Sequence, residues 1–371
     1  MGKKHQSAIC IFGANFMLDQ LGSLQSEIDG AMDGSDIEYI HRMRVASRRM
    51  RNGLTCFKEC LPGKNSKSWR DEVRRITHAL GNARDLDIQM DSLNKLYNDR
   101  LDPMVKPGYQ RILLRLKQRR TVAQKKVVKT LAKFQKSEIL SDMHEKLEEK
   151  ASSAENRYLY TPSLYQKAFK NINARLEDFL MYQEDVQVPE NVEKLHAMRI
   201  AGKQLRYTLE IFAPIYDTAL LPYIQIMKDL QDQLGSIHDD DVWVSWLPKF
   251  IEEEEQRIDD YFGNTGPLDR LLPGINHLIE NRQNNREKTY QSFLDTWRLI
   301  EGEDAWESLK KIINAPIRLE DALEHLAETE SPTDEEQEED QALSQEMNSE
   351  MPEEQLLEEI LNTNNHDLTS T

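Results

Sequence analysis

Apolar residues recur along the first 312 positions at intervals of three and four, the period of helices with one buried face, and strand-like alternation is nearly absent. The pattern predicts amphipathic helices over 8–30, 36–60, 66–99 and 105–148, with breaks at Gly30–Ser35, Leu61–Lys67 and Asp102–Gly108. A polar joint, Ala151–Asn156, follows. Four further helices are predicted over 161–184, 190–213, 218–258 and 267–312, interrupted at Val188-Pro189, Ala213-Pro214 and Gly263–Pro267. Two sets of four long helices with short connections describe an all-α body, 8–312, made of two antiparallel four-helix bundles, 8–150 and 157–312. Ala8–Leu18 holds Gly13 and Asn15 and precedes no small-residue cleavage site, so it reads as the first core helix rather than a signal peptide. No apolar run reaches the roughly 18 residues of a membrane span.

The two halves repeat more than a rhythm. His41-x-x-Arg44-x-x-x-Arg48-x-x-Arg51 aligns with His196-x-x-Arg199-x-x-x-Lys203-x-x-Arg206 at an offset of 155. Leu80-Gly81-x-x-Arg84-Asp85-x-Asp87 aligns with Leu234-Gly235-x-x-His238-Asp239-x-Asp241 at an offset of 154. Two blocks in the same order at nearly the same separation indicate an internal duplication.

On a helix the four basic positions of each copy fall within an arc of about 80°. Met43, Ala46, Met50, Leu54 and Phe57 lie on the opposite side, as do Met198, Ala201, Leu205, Leu209 and Phe212 in the second copy. Each helix therefore packs on one face and presents a cationic ridge on the other. A solvated surface face is the competing explanation. Surface helices, however, mix signs through i, i+4 pairs, and no acid occurs between Arg42 and Lys58. Like charges at this spacing repel by a few tenths of a kcal/mol per pair (~0.2–0.5), a cost that a bound anion offsets.

Net charge first argues against such a ligand. The 371 residues carry 48 Lys+Arg against 65 Asp+Glu, a net of −17. The acids are concentrated, however: Leu319–Thr371 holds 18 of them and no Lys or Arg, leaving 47 acids against 48 bases in the body. The segment 319–371 has the composition of a disordered acidic tail. Leu356, Leu357, Ile360 and Leu361 within it form either a short turn that docks on a partner protein or residual helicity without one. The tail is also a candidate pseudo-ligand for the cationic ridges.

Other features carry less. Val105–Lys136 contains 11 Lys/Arg and no acid, which suits nucleic acid, yet no helix-turn-helix, zinc-finger or RNP signature and few aromatic residues accompany it. His238-Asp239 is a dipeptide of metal phosphohydrolases, but its counterpart Arg84 cannot ligate a metal, so no metal or other cofactor is expected. The carboxylates Asp85, Asp87, Asp239 and Asp241, with Arg84 and His238, are expected to orient the ridge or hold helix contacts. Gly81 and Gly235 are expected to permit close helix approach. Cys10, Cys56 and Cys60 are too few and too odd in number for a disulfide framework, which favours a reducing cytoplasm, with Cys56 and Cys60 as small buried hydrophobes.

The doubled His-x-x-Arg-x-x-x-(Arg/Lys)-x-x-Arg helix, each copy followed some 30 residues later by Leu-Gly-x-x-(Arg/His)-Asp-x-Asp, resembles the CHAD family, the conserved histidine α-helical domain, over residues 8–312. The resemblance implies two four-helix subdomains related by pseudo-twofold symmetry, whose basic helices line a central groove or pore that binds inorganic polyphosphate, free or in granules. It places the ligand contacts on His41, Arg44, Arg48, Arg51, His196, Arg199, Lys203 and Arg206. Further contacts are expected from Arg74, Arg75, Arg115, Arg119, Lys125, Lys228, Arg282 and Lys288. No nucleophile with a base and no P-loop is recognisable, so binding without catalysis is expected. Two alternatives stay open: a phosphotransfer or phosphohydrolase protein using His41 or His196, and a nucleic-acid-binding helical protein.

Overall fold

The helical periodicity is realised as eleven α-helices and no strand among the described residues, which in this computed structural model are 2–61, 63–98, 101–152 and 161–329. The first half comprises α1 (Gly2–Ser26), α2 (Ile28–Asp33), α3 (Ile37–Cys56), α4 (Gly63–Asn98), α5 (Lys106–Gln135) and α6 (Glu138–Ala151). The second comprises α7 (Pro162–Leu180), α8 (Val192–Phe212), α9 (Leu221–Phe262), α10 (Leu272–Gly302) and α11 (Ala305–Thr329).

Three of the eight expected helices divide. Glu27 separates α1 from α2. Ser137 takes an extended backbone (φ −86°, ψ 143°) and lets α6 turn back to pack on α1. Asp304, with φ of 49°, separates α10 from α11. The last helix continues through Thr329, so the stretch 319–329 that composition assigned to the tail is helical; the rest of the tail, and most of the polar joint, lie outside the described residues. No helix among the described residues is long and apolar enough to cross a membrane.

The buried faces are those the periodicity marked. Met43, Ala46, Met50, Leu54 and Phe57 of the first repeat and Met198, Ala201, Leu205, Leu209 and Phe212 of the second are all buried. The main core takes side chains from both halves. Within it Phe57 packs on Phe212, the residue at the matching position of the second repeat, at 5.9 Å between ring centroids, and the partly buried Phe12 stacks on Phe212 at 6.1 Å. A second core joins α4, α5, α9 and α10 through Tyr109, Leu116, Trp243, Phe250 and Ile275. Residues Met1–Ile317 accordingly form one compact unit.

Where α5 crosses α10, Gly108 meets Gly274, and a Cβ on either would overlap backbone atoms of the other helix. The glycines on which close approach was expected have a different role. A Cβ on Gly81 would meet only Arg44 Nε, at 3.7 Å, and one on Gly235 only Arg199 Nε, at 3.9 Å. These positions lie beneath a guanidinium rather than at a helix crossing.

The cysteine expectation is corrected. Cys10 on α1 is disulfide-bonded to Cys60, just after α3, with 5.2 Å between their Cα atoms. The partners are 50 residues apart, and only the packing of α1 along α3 brings them together. Cys56 is buried and unbridged, and burial pushes its thiol up to about 11. A bridge of this kind persists in oxidising surroundings, so the cysteine count gives no support for a reducing compartment.

Candidate anion-binding site

Asp36 caps α3 by accepting the Glu38 N–H at 2.9 Å, which fixes the start of the first ridge. The ridge of α3 then runs against that of α8. Asn52 Nδ2 donates to Thr208 Oγ1 at 3.2 Å, and Arg49 pairs with Glu210 at 2.8 Å. These contacts bring Arg44, Arg48, Arg199 and Lys203 together. Burial, then Arg199, Arg48 and Arg44, pull the Lys203 ammonium down to about 6, and Asp239 offsets this only in part. Burial and neighbouring cations also lower the proton affinity of Arg44 and Arg199.

Two adjoining cavities open beside this cluster. The first, of about 710 Å³, is walled by Arg44, Arg48 and Arg51 of α3 and by Arg74, Arg75 and His78 of α4. Asp71 and Asp85 are its lining carboxylates. Arg44 reaches Asp85 at 3.3 Å and Arg75 pairs with Glu72, whereas Arg48, Arg51 and Arg74 make no ion pair among the described residues. Arg44 Nε and Arg75 Nε are buried without a hydrogen-bond acceptor.

The second cavity, about 600 Å³, shares Arg44, Arg48 and Asp85 with the first and is completed by α8, α9 and α10. Its balance differs: Arg199 and Arg282 join the cations, but Asp232, Asp239 and Asp240 join the carboxylates. His196 and His238 face each other in it, Nδ1 to Nδ1 at 3.0 Å. Burial and the nearby Arg199 depress both imidazoles, His238 to about 4. The repeats match in sequence, yet one cavity is strongly cationic and the other nearly neutral.

The remaining expected residues divide by location. His41 lies partly buried, beside Arg84 and Glu38, and its imidazole is depressed by burial and by Arg84. Arg206 sits over the Tyr207 ring at 5.0 Å and faces Glu210 at 3.8 Å. Arg115 donates to the fully buried Glu254 at 2.5 Å and Arg119 reaches Glu253 at 3.1 Å, joining α5 to α9. Arg282 reaches Asp240 at 3.4 Å and Ser92 at 3.0 Å. Lys125, Lys228 and Lys288 are exposed and line neither cavity. His78 lines the first cavity without having been expected; it lies three and four residues after Arg75 and Arg74 on α4, a spacing the sequence displays.

The aspartates repeat with the helices. Asp87 accepts from Arg120 at 2.6 Å, and its counterpart Asp241 accepts from Arg286 at 2.5 Å. Both pairs fasten the second ridge-facing helix of a half to the next helix. Asp85 contacts Arg44 directly, and Arg84 lies 3.7 Å from Glu38. Among the described residues no three His, Cys, Asp or Glu side chains gather as metal ligands.

The fold has solved relatives. The CHAD domain from the plant Ricinus communis superposes with a TM-score of 0.54 at 19% identity, covering 72% of this chain and 91% of that one. PptA from Streptomyces chartreusis superposes with a TM-score of 0.50 at 14% identity, covering 77% and 98% respectively. No curated protein matches the sequence. The CHAD domain profile matches residues 16–248, well over half the chain, and the duplicated basic helices lie inside that span: the chain belongs to the CHAD family.

Proposed function

We propose that this protein binds inorganic polyphosphate without catalysis, with the phosphate chain lying along the Arg/Lys cluster between α3, α4 and α8. One observation carries the reading: Arg48, Arg51 and Arg74 converge on a single cavity without a carboxylate partner, beside Arg44 and Arg75. Guanidinium forks suit the oxygens of successive phosphates, and each charge-assisted contact contributes on the order of 1.5–3 kcal/mol. No Trp, Tyr or Phe lines the first cavity among the described residues, which favours a phosphate chain there over the stacked bases of a nucleic acid. Free chains and the chains at a granule surface offer the same repeating anion.

The test is a titration with long-chain polyphosphate at several salt concentrations, using wild type and an Arg44→Glu/Lys203→Glu variant. Submicromolar binding at low salt that weakens steeply as salt rises is expected, with at least a tenfold loss in the variant. Equal affinities for the two proteins would reject the site.

A further inference from the structure

The two cavities share a wall, Arg44, Arg48 and Asp85, but not a character. A uniform polyanion gains from the first along its whole length. It gains little from the second, where Asp232, Asp239 and Asp240 oppose the arginines. That pairing of chambers matches a ligand whose one end is a phosphate chain and whose other end is not.

The second chamber has the features an organic end needs. Its volume of about 600 Å³ lies within the usual range for small-molecule sites. Ile88, Val242 and Trp243 give it an apolar wall; Ile88 and Val242 are each more than a third exposed, at 37% and 38%. Asp232, Asp239 and Ser236 line it and make no side-chain hydrogen bond or ion pair among the described residues, so they remain as acceptors and donors for hydroxyl or amino groups. The His196–His238 pair adds imidazole rings to the same lining. We propose that the second cavity holds the nucleoside of a nucleoside polyphosphate, whose phosphates lie on Arg44, Arg48 and the other arginines of the first cavity. The apolar wall takes the base, and the carboxylates with Ser236 take the sugar hydroxyls and exocyclic amine. The inference rests on the reading of the arginine cluster as a phosphate site.

Adenosine 5′-tetraphosphate and inorganic tetraphosphate provide the test, compared by calorimetry at one ionic strength. The nucleotide has one ionisable oxygen fewer, so charge alone favours the inorganic ion. Binding of the nucleotide about tenfold more tightly is the expected result. Ser236→Phe, which fills the chamber, and Ile88→Ser/Val242→Ser, at exposed positions that the fold tolerates, should each reduce that preference to about twofold and leave inorganic tetraphosphate unaffected. Equal binding of the two ligands to wild type overturns the inference and leaves the polyphosphate reading intact. A preference that survives both variants also overturns it. Failure of both ligands to bind at low salt refutes the underlying phosphate site, and binding of the nucleotide alone keeps this chamber while refuting the inorganic reading.

Discussion

His196 and His238 meet Nδ1 to Nδ1 at 3.0 Å, so one ring must donate and the other accept, and only one of these nitrogens carries a proton. Burial and the cations Arg199 and Lys203 hold both imidazoles below their ordinary value, His238 at about 4. A histidine depressed in the folded state binds fewer protons than in the unfolded chain between these limits. Stability from this pair is therefore complete above about pH 6.5 and declines as pH falls toward about 4. Thermal unfolding followed by circular dichroism should show that decline between about pH 6.5 and pH 4, mostly below the range over which Lys203, held at about 6, lowers stability because its proton is bound only in the unfolded chain. His238→Gln, which removes one titrating partner, should flatten it.

On the proposed reading of the arginine cluster, the neighbouring Lys203 couples phosphate binding to proton uptake. In the free protein its ammonium loses its proton above about pH 6, because burial and three arginines oppose the charge. A phosphate beside it reverses that balance, so binding takes up a proton at neutral pH. Affinity should then fall as pH rises from 6 to 8, by at most about tenfold per pH unit. Calorimetry in two buffers of different ionisation enthalpy would count the proton directly. Lys203→Met should bind more weakly with a flatter pH profile, whereas Lys203→Arg, which stays charged, should bind well at pH 8.

Local pattern made the helices legible, and duplication made the ridge legible. The buried residues of α3 and α8 follow from a single periodicity, and their cationic faces follow from the same spacing. What could not be read was which arginines already have partners. Arg115 and Arg48 look alike in sequence, but α9 places the buried Glu254 against Arg115 and nothing comparable against Arg48. The unequal cavities escaped for the same reason, since Asp232 lies outside both repeated blocks. The crossing of α5 with α10 does carry a mark in the sequence: Pro107-Gly108 and Pro273-Gly274 repeat at an offset of 166.

The duplicated ion pairs give a matched stability test. Burial raises the Asp87 carboxyl, and Arg120, 2.6 Å away, holds it against that trend. Removing one partner leaves the other buried and uncompensated, a loss of about 3–5 kcal/mol. Asp87→Ala should show a loss of that size in urea unfolding. The double change Asp87→Leu/Arg120→Leu should recover most of it, because no isolated charge remains. A double variant as unstable as the single one would mean that the pair serves more than charge balance.

The Cys10–Cys60 bridge closes a loop of 50 residues that contains all of α2 and α3, and hence the first ridge. Cross-linking a loop of that length restricts the unfolded chain by about 4 kcal/mol, so the bridge should contribute strongly to stability while leaving the arginines in place once the protein is folded. Cys10→Ser/Cys60→Ser should lower the unfolding midpoint in urea by the corresponding amount. At temperatures where the variant is still fully folded, its affinity for polyphosphate should equal that of wild type. If affinity falls together with stability, the bridge also sets the pitch of α3 against α4, and the geometry of the first cavity depends on it.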